Sequence, residues 1–400
     1  MTSWLEISDA RLRANYAAFA KAVGAATSVL GVVKANAYGH GVERCAQILA
    51  HAKAEWLGVT GVEEGRLVRR ALTAAGLTTE MQPRILIMSG ISEQDAPAII
   101  QHELTPVVWS VEQVAWLQTT AERLALRTTV PVHLEIDSGM TRQGVRPGSA
   151  LKHLVPAIQS AKALRLDGVM THFAAAEVTG SGHAQRRQFE RALAETAAAG
   201  VLPAWVSAGN TSGLDLVEGP EEFPAWLHRL ARGIGARAMV RAGLGLYGYH
   251  LPLEPAPAAR TAISRLDEEL QPVMTWKAKI IAIEQVPAGA AIGYNGTYIA
   301  AKPMRLALVA AGYADGLRRE LSSTNTRPGG WVMLRGKRAP IVGRISMNLT
   351  SVDVTAIRGV HVGDDATLLG DGITADDHAR IAGTIAYEIL CGVRACERAT

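Results

Sequence analysis

Short, mainly apolar runs alternate with longer amphipathic stretches over roughly the first 245 residues. Such runs are typical of strands buried on both faces, and amphipathic stretches between them indicate helices that connect parallel strands. The eight runs are Val29–Val33, Trp56–Thr60, Arg84–Met88, Thr105–Trp109, Val130–Ile136, Leu166–Met170, Pro203–Ser207 and Ala238–Arg241. Eight strand–helix units in this length match a TIM-like (β/α)8 barrel, although a doubly wound sheet would give a similar alternation.

Two of the amphipathic stretches carry helix start signals. Leu12, Tyr16 and Phe19 have helical spacing, and Ser8 before them can cap the helix N-terminus. The pair Ser110 and Gln113 has the spacing of a capping box, in which each side chain binds the other residue's backbone N–H. We therefore expect helices to start after Ser8 and after Ser110.

The pattern changes beyond residues 249–270, a stretch rich in Pro and Ala. Met274, Trp276, Ala278 and Ile280 alternate with residues of the opposite face, as in a half-buried strand, and Gly-rich turns recur after them. We predict a barrel domain over residues 8–248 and a mainly β C-terminal domain over residues 249–400.

Composition and charge exclude several classes of protein. With 48% hydrophobic and 20% charged residues, the chain is not disordered, and a net charge of +4 without a dense basic run does not indicate nucleic-acid binding. No signal peptide or membrane-spanning stretch is recognisable, so we expect a cytoplasmic protein. Cys45, Cys391 and Cys396 fit no zinc spacing; we expect buried, reduced thiols and no metal site.

Lys34 directly follows the first apolar run. Residues just beyond the carboxyl end of a barrel strand face the active site. Apolar surroundings lower the pKa of a lysine and make its amine a nucleophile suited to a Schiff base. From this position alone, the alternative interpretation is a structural lysine whose amine extends to solvent.

A glycine-rich segment, RAGLGLYG, starts at Arg241 and contains the spacing G-x-G-x-x-G. It lies at the last barrel strand rather than in a first βα unit, so we reject a dinucleotide site. Loops after the last two strands of a barrel commonly bind a phosphate through backbone N–H groups, and the segment Ser207–Gly213 could add further donors. A phosphate site and a Schiff-base lysine together suggest pyridoxal phosphate (PLP).

The segment VVKANAYGHG around Lys34 resembles the PLP-lysine motif of alanine racemases. RAGLGLYG, IGYNGTY, AAGYADG, VGRISMN and TIAYEILCG resemble further segments of that family, in the same order and over nearly the whole chain. The resemblance implies a PLP-binding barrel and a β domain that includes residues 1–7. It also implies a homodimer whose active sites are shared across the interface.

The resemblance assigns two bases to the reaction. Lys34 corresponds to the lysine that binds PLP, and Tyr294 to the opposing base, which reaches the site from the partner subunit. Arg241 corresponds to the arginine that faces the pyridine nitrogen and keeps it unprotonated, because a guanidinium does not give up its proton. His172 corresponds to the histidine that supports this arginine.

The remaining site positions also follow from the resemblance. It assigns the phosphate to Tyr38, Thr211, Gly243, Leu244 and Tyr387, with Leu244 acting through its backbone N–H. Asn210 would adjoin the ring. Arg142 and the backbone N–H of Met347 would bind the substrate carboxylate, and Tyr313 would lie near the entrance.

Three features depart from the family pattern. Glu135 stands where some members have a carbamylated lysine, and we expect it to supply the same negative charge. The usual Cys-Met-Asp is Ser346-Met347-Asn348, which removes one negative charge near the entrance and resembles relatives with a broader substrate range. Residues 214–235 form a longer connection than usual, and we expect a surface excursion.

The resemblance implies an enzyme that interconverts L-alanine and D-alanine and supplies D-alanine for peptidoglycan. A broad-specificity amino-acid racemase is the first alternative. A PLP-binding barrel without catalysis is a second, but such proteins lack the β domain that carries Tyr294 and Tyr387. A barrel-type PLP decarboxylase is disfavoured, because its cysteine-containing motif has no match here.

Overall fold

The computed structural model describes residues 2–217, 222–256, 261–266 and 268–397. The chain forms two units. The barrel unit consists of Leu12–Ala37 and Val42–Leu270, and the β unit of Met1–Arg11, Tyr38–Gly41 and Gln271–Thr400. Residues 249–270, where the sequence pattern changes, thus belong to the barrel unit. The first strand, β1 (Ser3–Ile7), belongs to the β unit.

The predicted barrel is confirmed. Its unit contains the strands β2 (Thr27–Val32), β3 (Trp56–Val59), β4 (Arg84–Ile87), β5 (Leu104–Val108), β6 (Val130–Ile136), β7 (Leu164–Thr171), β8 (Trp205–Ser207), β9 (Leu216–Val217), β10 (Arg237–Ala242) and β11 (Ile263–Ser264). Strands β2 to β8 and β10 close into a parallel barrel in which β10 pairs with both β8 and β2, while β9 pairs with β11. Every predicted run overlaps one barrel strand.

Helices connect the barrel strands. They are α1 (Asp9–Val23), α2 (Lys34–Tyr38), α3 (Val42–His51), α4 (Val62–Ala74), α5 (Ala96–Gln101), α6 (Val111–Arg123), α7 (Ser149–Ser160), α8 (His183–Ala198), α9 (Thr211–Asp215) and α10 (Phe223–Arg232), with short 3-10 turns at Thr79–Met81, Glu93–Asp95 and Leu244–Tyr247. Both start signals are confirmed: Ser8 Oγ accepts from Arg11 N at 3.3 Å, and Ser110 forms the reciprocal capping box with Gln113.

The expectation of a surface excursion over residues 214–235 is wrong for most of the segment. Leu214 and Leu216 are buried, and α10 buries Phe223 and Trp226. The apolar positions of α10 lie at helical spacing and pack towards the barrel strands β8 and β10, so this helix is part of the barrel wall. Residues 218–221 lie outside the described residues.

A buried ion cluster lies near the amino ends of the barrel strands. Asp167 accepts from Arg84 Nη2 at 2.6 Å and is also bonded by Arg165, while His133 Nε2 lies 3.8 Å away. The Arg84 guanidinium lies 4.0 Å from the centroid of the Trp56 ring. Burial raises the pKa of Asp167, but the interactions with His133 and Arg84 outweigh it and hold the pKa well below its usual range.

The β unit is mainly antiparallel, as predicted. Besides β1, it contains the strands β12 (Met274–Val286), β13 (Ala291–Ile292), β14 (Tyr298–Ile299), β15 (Met304–Val309), β16 (Trp331–Leu334), β17 (Lys337–Pro340), β18 (Thr350–Asp353) and β19 (Asp365–Leu369). The sheet order is β17-β16-β19-β12-β15-β18, β1 pairs with β12, and β13 and β14 form a separate ribbon. Helices α11 (Ala375–Ala382) and α12 (Ala386–Gly392) follow, and 3-10 turns lie at Tyr294–Gly296, Tyr313–Asp315 and Arg319–Leu321.

Strand β12 confirms the predicted alternation. Met274, Trp276, Ala278 and Ile280 are all buried, and a register shift after Ile280 leaves Ala282 half-buried. The expectation for the cysteines is wrong in part. Cys45 is buried, but Cys391, on an exposed position of α12, and Cys396 are exposed.

No described helix is both long and apolar enough to cross a bilayer. Among the described residues there is also no group of three or more His, Cys, Asp or Glu side chains arranged to hold a metal ion.

Candidate active site

Lys34 lies two residues beyond the end of β2 and is half-buried. The residues after it, Ala35–Ala37, have φ of 52–54° and therefore wind in the left-handed sense. For non-glycine residues this conformation costs about 1–2 kcal/mol each. Asn36 Oδ1 accepts from Val42 N at 2.9 Å, and Glu64 accepts from Asn36 N at 3.4 Å, which helps to hold the turn. Backbone strain of this kind clusters at functional sites.

Arg241, at the end of β10, links three neighbouring strands. Its Nη1 donates to Ser207 Oγ at 2.7 Å, and its Nη2 donates to Thr171 O at 2.7 Å and to His172 Nδ1 at 3.2 Å. Thr171 and Ser207 are the last residues of β7 and β8. The side chain is buried, so three of its five N–H groups are fixed inside the barrel mouth. Within the described residues no hydrogen bond is formed by the other two.

His172 is neutral in this environment. Burial lowers its pKa to about 3, and the positive charges of Arg241, Arg142 and Lys34 act in the same direction. Because Nδ1 accepts the hydrogen bond from Arg241, the ring proton lies on Nε2. Burial also lowers the pKa of Arg241 to about 10 against the opposing charge of Glu135, so the guanidinium stays charged at neutral pH. The site is therefore cationic.

Glu135 lies on β6 and is buried. It accepts a hydrogen bond from Gln143 Nε2 at 2.6 Å, and the same nitrogen donates to Met88 O at 2.8 Å. Burial raises the pKa of Glu135, although Gln143 and nearby arginine charges oppose the shift. Glu135, Arg142 and His172 line one small cavity. The residue expected to replace a carbamate thus lies beside Arg142.

A second part of the barrel site is the turn at the start of α9. Thr211 Oγ1 accepts from Gly243 N at 3.3 Å and from Gly245 N at 3.0 Å, and Asn210 Oδ1 caps α9 by accepting from Gly213 N at 3.0 Å. The N–H of Gly243, which the sequence assigned to phosphate, is thus bound to Thr211 here. Since the Thr211 oxygen accepts twice, its own proton can be donated to a ligand.

Close packing explains the glycine at position 245. Leu244 begins the 3-10 turn after β10, and its side chain is buried. A Cβ on Gly245 would lie 2.5 Å from the Phe19 ring and 2.9 Å from the methyl group of Thr211. Only a residue without a side chain lets this turn approach α1 and α9 so closely.

The other predicted site residues belong to the β unit. The rings of Tyr38 and Tyr387 lie 5.8 Å apart, centroid to centroid. Burial raises the pKa of Tyr38 well above its usual value, and interactions with Tyr387 and Cys391 add to the shift. Tyr38 therefore keeps its phenolic proton at neutral pH and can act only as a hydrogen-bonding group.

Tyr294, Tyr313 and Met347 lie on the surface of the β unit, with exposed fractions of 65%, 44% and 57%. Tyr313 N donates to Ser346 O at 3.0 Å, and Ala314 N donates to Met347 O at 2.8 Å, so the Tyr313 and Met347 segments are adjacent.

Several contacts of the site were not expected from the sequence. Thr171 and Gln143 were not singled out, and Ser207 was considered only as a phosphate donor, whereas it accepts from Arg241. A polar residue that ends a buried barrel strand was the available signal for Thr171, because such positions face the barrel mouth. No spacing rule pointed to Gln143.

Comparisons with known proteins agree with this architecture. The family of the alanine racemase N-terminal domain matches residues 7–251, and that of the alanine racemase C-terminal domain matches residues 273–399. An alanine racemase of Synechocystis is 36% identical over 399 residues, covering 98% of this chain and 96% of the relative. One from Syntrophobacter fumaroxidans is 34% identical over 397 residues, with 98% and 95% covered.

Solved structures give the same result. Alanine racemase from Streptomyces coelicolor superposes with a TM-score of 0.82 at 31% identity, covering 99% of this chain and 97% of that one. The enzyme from Bartonella henselae, described with covalently bound pyridoxal phosphate, has a TM-score of 0.79, covers 100% and 99%, and at 24% identity supports the fold alone. A parallel barrel with a lysine and a buried arginine at its carboxyl end, joined to an antiparallel β unit, defines a two-domain barrel enzyme. The chain belongs to the alanine racemase family.

Proposed function

We propose that this protein is a PLP-dependent racemase that interconverts L-alanine and D-alanine. The observation that carries the proposal is the set of basic side chains at the barrel mouth. The buried Arg241 donates to His172 Nδ1 at 3.2 Å, Arg142 and His172 line one small cavity, and Lys34 follows the end of β2. A substrate carboxylate and a phosphorylated cofactor are both anionic, and a cationic site attracts both. As a further part of the proposal, the enzyme is cytoplasmic and supplies D-alanine for peptidoglycan.

The residues present fit PLP. Lys34 provides an amine at a strand end to which the cofactor aldehyde would be attached. Thr211 has a hydroxyl proton to donate to the phosphate, and Tyr38 keeps its own proton. The backbone N–H of Leu244, with Tyr387, would complete the phosphate site. Gly243, whose N–H is bound to Thr211, would contribute by the close approach that a residue without a side chain allows, and Asn210 would adjoin the ring. When bound, PLP acts as an electron sink that stabilises negative charge at the substrate Cα.

Racemisation needs one base on each face of the substrate Cα. In the direction from L-alanine, the Oη of Tyr294 of the partner subunit, as the phenolate, would take the Cα proton and become a phenol. Lys34 Nζ, as the ammonium, would give a proton to the opposite face and become an amine. The reverse direction exchanges the two roles. Arg142 and the backbone N–H of Met347 would hold the substrate carboxylate, which fixes the Cα between the two bases.

Arg241 would face the cofactor ring with the two N–H groups that do not bond to Ser207, Thr171 or His172. A guanidinium with a pKa of about 10 keeps its proton at neutral pH, so it would hydrogen-bond a ring nitrogen without protonating it. A less electron-deficient ring favours return of the proton to Cα over other outcomes, which is a gain in fidelity.

The proposal of a homodimer is based on three exposed side chains at the surface of the β unit. Tyr294 is 65% exposed, and Tyr313 and Met347 are exposed as well. A catalytic tyrosine in contact with bulk solvent could not exclude water from the reacting atoms. A second subunit that covers this surface would bring Tyr294 into a dry site.

The decisive experiment is the formation of D-alanine from L-alanine by the purified protein with PLP. Lys34→Ala should abolish both racemisation and covalent attachment of PLP. If the wild-type protein binds PLP but forms no D-alanine, the proposed reaction is contradicted.

Tyr294→Phe tests the two-base assignment. The variant should retain PLP and lose Cα proton abstraction from L-alanine more than from D-alanine, measured as exchange of the Cα proton with deuterated solvent. Tyr298→Phe is the matched control, because it removes a hydroxyl from the same short ribbon. Equal exchange from both isomers would contradict the assignment of Tyr294.

The replaced motif Ser346-Met347-Asn348 favours a second candidate, a racemase of broader substrate range. Asn348 Nδ2 donates to Asp315 Oδ2 at 3.3 Å, so an amide occupies a position where the family usually has a carboxylate. Loss of that negative charge changes which side chains can approach. Comparison of kcat/KM for alanine, serine, lysine and arginine separates the two candidates.

A further inference from the structure

A buried glutamine outside the predicted site contacts two barrel strand ends. Gln185 lies on α8 and is buried. Its Nε2 donates to Ser138 Oγ at 3.1 Å and to His172 O at 3.1 Å, and its Oε1 accepts from Ala174 N at 2.9 Å. The amide thus uses both donors and its acceptor, and it connects the segments that follow β6 and β7.

Hydrogen bonds from Gln185 and from Arg241 meet at Thr171, one set on its side chain and the other on its carbonyl. Thr171 Oγ1 donates to Ile136 O at 2.9 Å, so it must accept from Ser138 Oγ at 2.7 Å, and Ser138 in turn accepts from Gln185. The carbonyl of Thr171 accepts from Arg241 at 2.7 Å. The donor and acceptor of each hydrogen bond from Gln185 to Ile136 are therefore fixed.

We propose that Gln185 is a positioning residue for Arg241. The amide fixes residues 171–174 from one side, and the carbonyl of Thr171 and the ring of His172 then hold the guanidinium from the other. Gln185 does not touch the expected place of cofactor or substrate. It acts through Arg241, and in this respect the inference rests on the proposed function.

An amide is required because its two N–H groups meet two acceptors. Gln185→Glu keeps the shape of the side chain but replaces the donating amide nitrogen with a carboxylate oxygen. This oxygen would face the carbonyl oxygen of His172, so both buried acceptors would lack a donor. Gln185→Leu removes all three hydrogen bonds at similar volume. Gln188→Leu, on the same helix and only partly buried, is the matched control.

The test is a double-mutant cycle read out as the dissociation constant of PLP from the apo-protein. Gln185→Leu and Gln185→Glu should each weaken PLP binding about tenfold, and lower kcat about tenfold with KM within about twofold. In an Arg241→Lys background the same substitutions should change the dissociation constant less than about twofold, because the residue through which they act is already altered. Gln188→Leu should leave it unchanged in both backgrounds.

Equal weakening in both backgrounds, or none in either, would overturn the proposal, since a merely destabilising substitution is additive with Arg241→Lys. If the Gln185 variants do not fold, Ser138→Ala removes the next link and should give the same coupling. Crystal structures without cofactor provide a measurement independent of the reaction: the distance from Arg241 Nη2 to Thr171 O should exceed hydrogen-bond range in Gln185→Leu. If the wild-type protein binds no PLP, the proposed function fails, and this distance alone decides the role of Gln185.

Discussion

His172 makes the stability of the barrel unit depend on pH in a way that one substitution should remove. Its pKa is about 3 in the folded protein and 6.5 for an ordinary histidine, because burial and three nearby cations disfavour the charged ring. Above pH 6.5 the ring is neutral in both folded and unfolded chains and has no effect. As the pH falls from 6.5 towards 3, the unfolded chain binds a proton that the folded chain cannot, so stability is lost.

The magnitude follows from linkage. One pH unit in this window is worth about 1.4 kcal/mol, so at pH 5 His172 should reduce the free energy of unfolding by about 2 kcal/mol relative to pH 8. His172→Asn places an amide oxygen near the position of Nδ1. It can still accept from Arg241, but it does not titrate.

Urea unfolding of the apo-protein, followed by tryptophan fluorescence at pH 8 and pH 5, measures this effect. The wild type should lose about 2 kcal/mol more than His172→Asn between the two pH values. Any loss of stability from altered packing in His172→Asn is present at both pH values, so it cancels when the two free energies of unfolding are subtracted. His153→Asn, at an exposed position on α7, is the control. If the pH-dependent loss of stability in the wild type exceeds that in His172→Asn by less than about 0.5 kcal/mol, His172 protonates freely in the folded protein. The interpretation of His172 as a neutral acceptor for Arg241 would then be refuted.

Two further predictions concern residues that hold the barrel and its phosphate turn. Asp167→Asn removes the buried charge that pairs with Arg84 and Arg165, and because these arginines are partly exposed it should lower the free energy of unfolding by about 1–3 kcal/mol in urea titrations at neutral pH. A loss below about 0.5 kcal/mol would show that the pair is effectively solvated. Gly245→Ala should weaken PLP binding by at least about tenfold, because a Cβ there lies 2.5 Å from Phe19. Gly213→Ala, whose nearest neighbour would be at 3.6 Å, should leave binding within about twofold, and equal effects would contradict the packing argument.

The strands could be predicted from the sequence because their signal is local, but closure of the sheet into a barrel followed from the family resemblance, since a doubly wound sheet gives a similar alternation. Strands buried on both faces leave continuous apolar runs, and each of the eight runs became a barrel strand. The change of period at Met274 likewise marked β12. The prediction for residues 214–235 was wrong for a different reason. Comparison with the family suggested a loop insertion, whereas the helical spacing of Phe223 and Trp226 alone would have predicted α10.

The site could be predicted only where residue type and place in the chain decide the chemistry. Lys34 at a strand end met that condition. Gln185 did not, because its role depends on contacts with Ser138, 47 residues away, and with the backbone of His172. Such pairings arise only when helix α8 packs on the barrel. No local pattern distinguishes Gln185 from Gln188 on the same helix.

The contacts of Arg241 show how a buried cation can be fixed in place and still keep its charge for a ligand. Its three partners are a hydroxyl, a carbonyl and a neutral imidazole, and no carboxylate contacts it among the described residues. Neutral acceptors satisfy the N–H groups without forming an ion pair, so the field of the guanidinium remains directed into the site. A charged imidazole could not accept from Arg241, so this arrangement requires the neutral ring of His172, which burial and the nearby positive charges maintain by lowering its pKa.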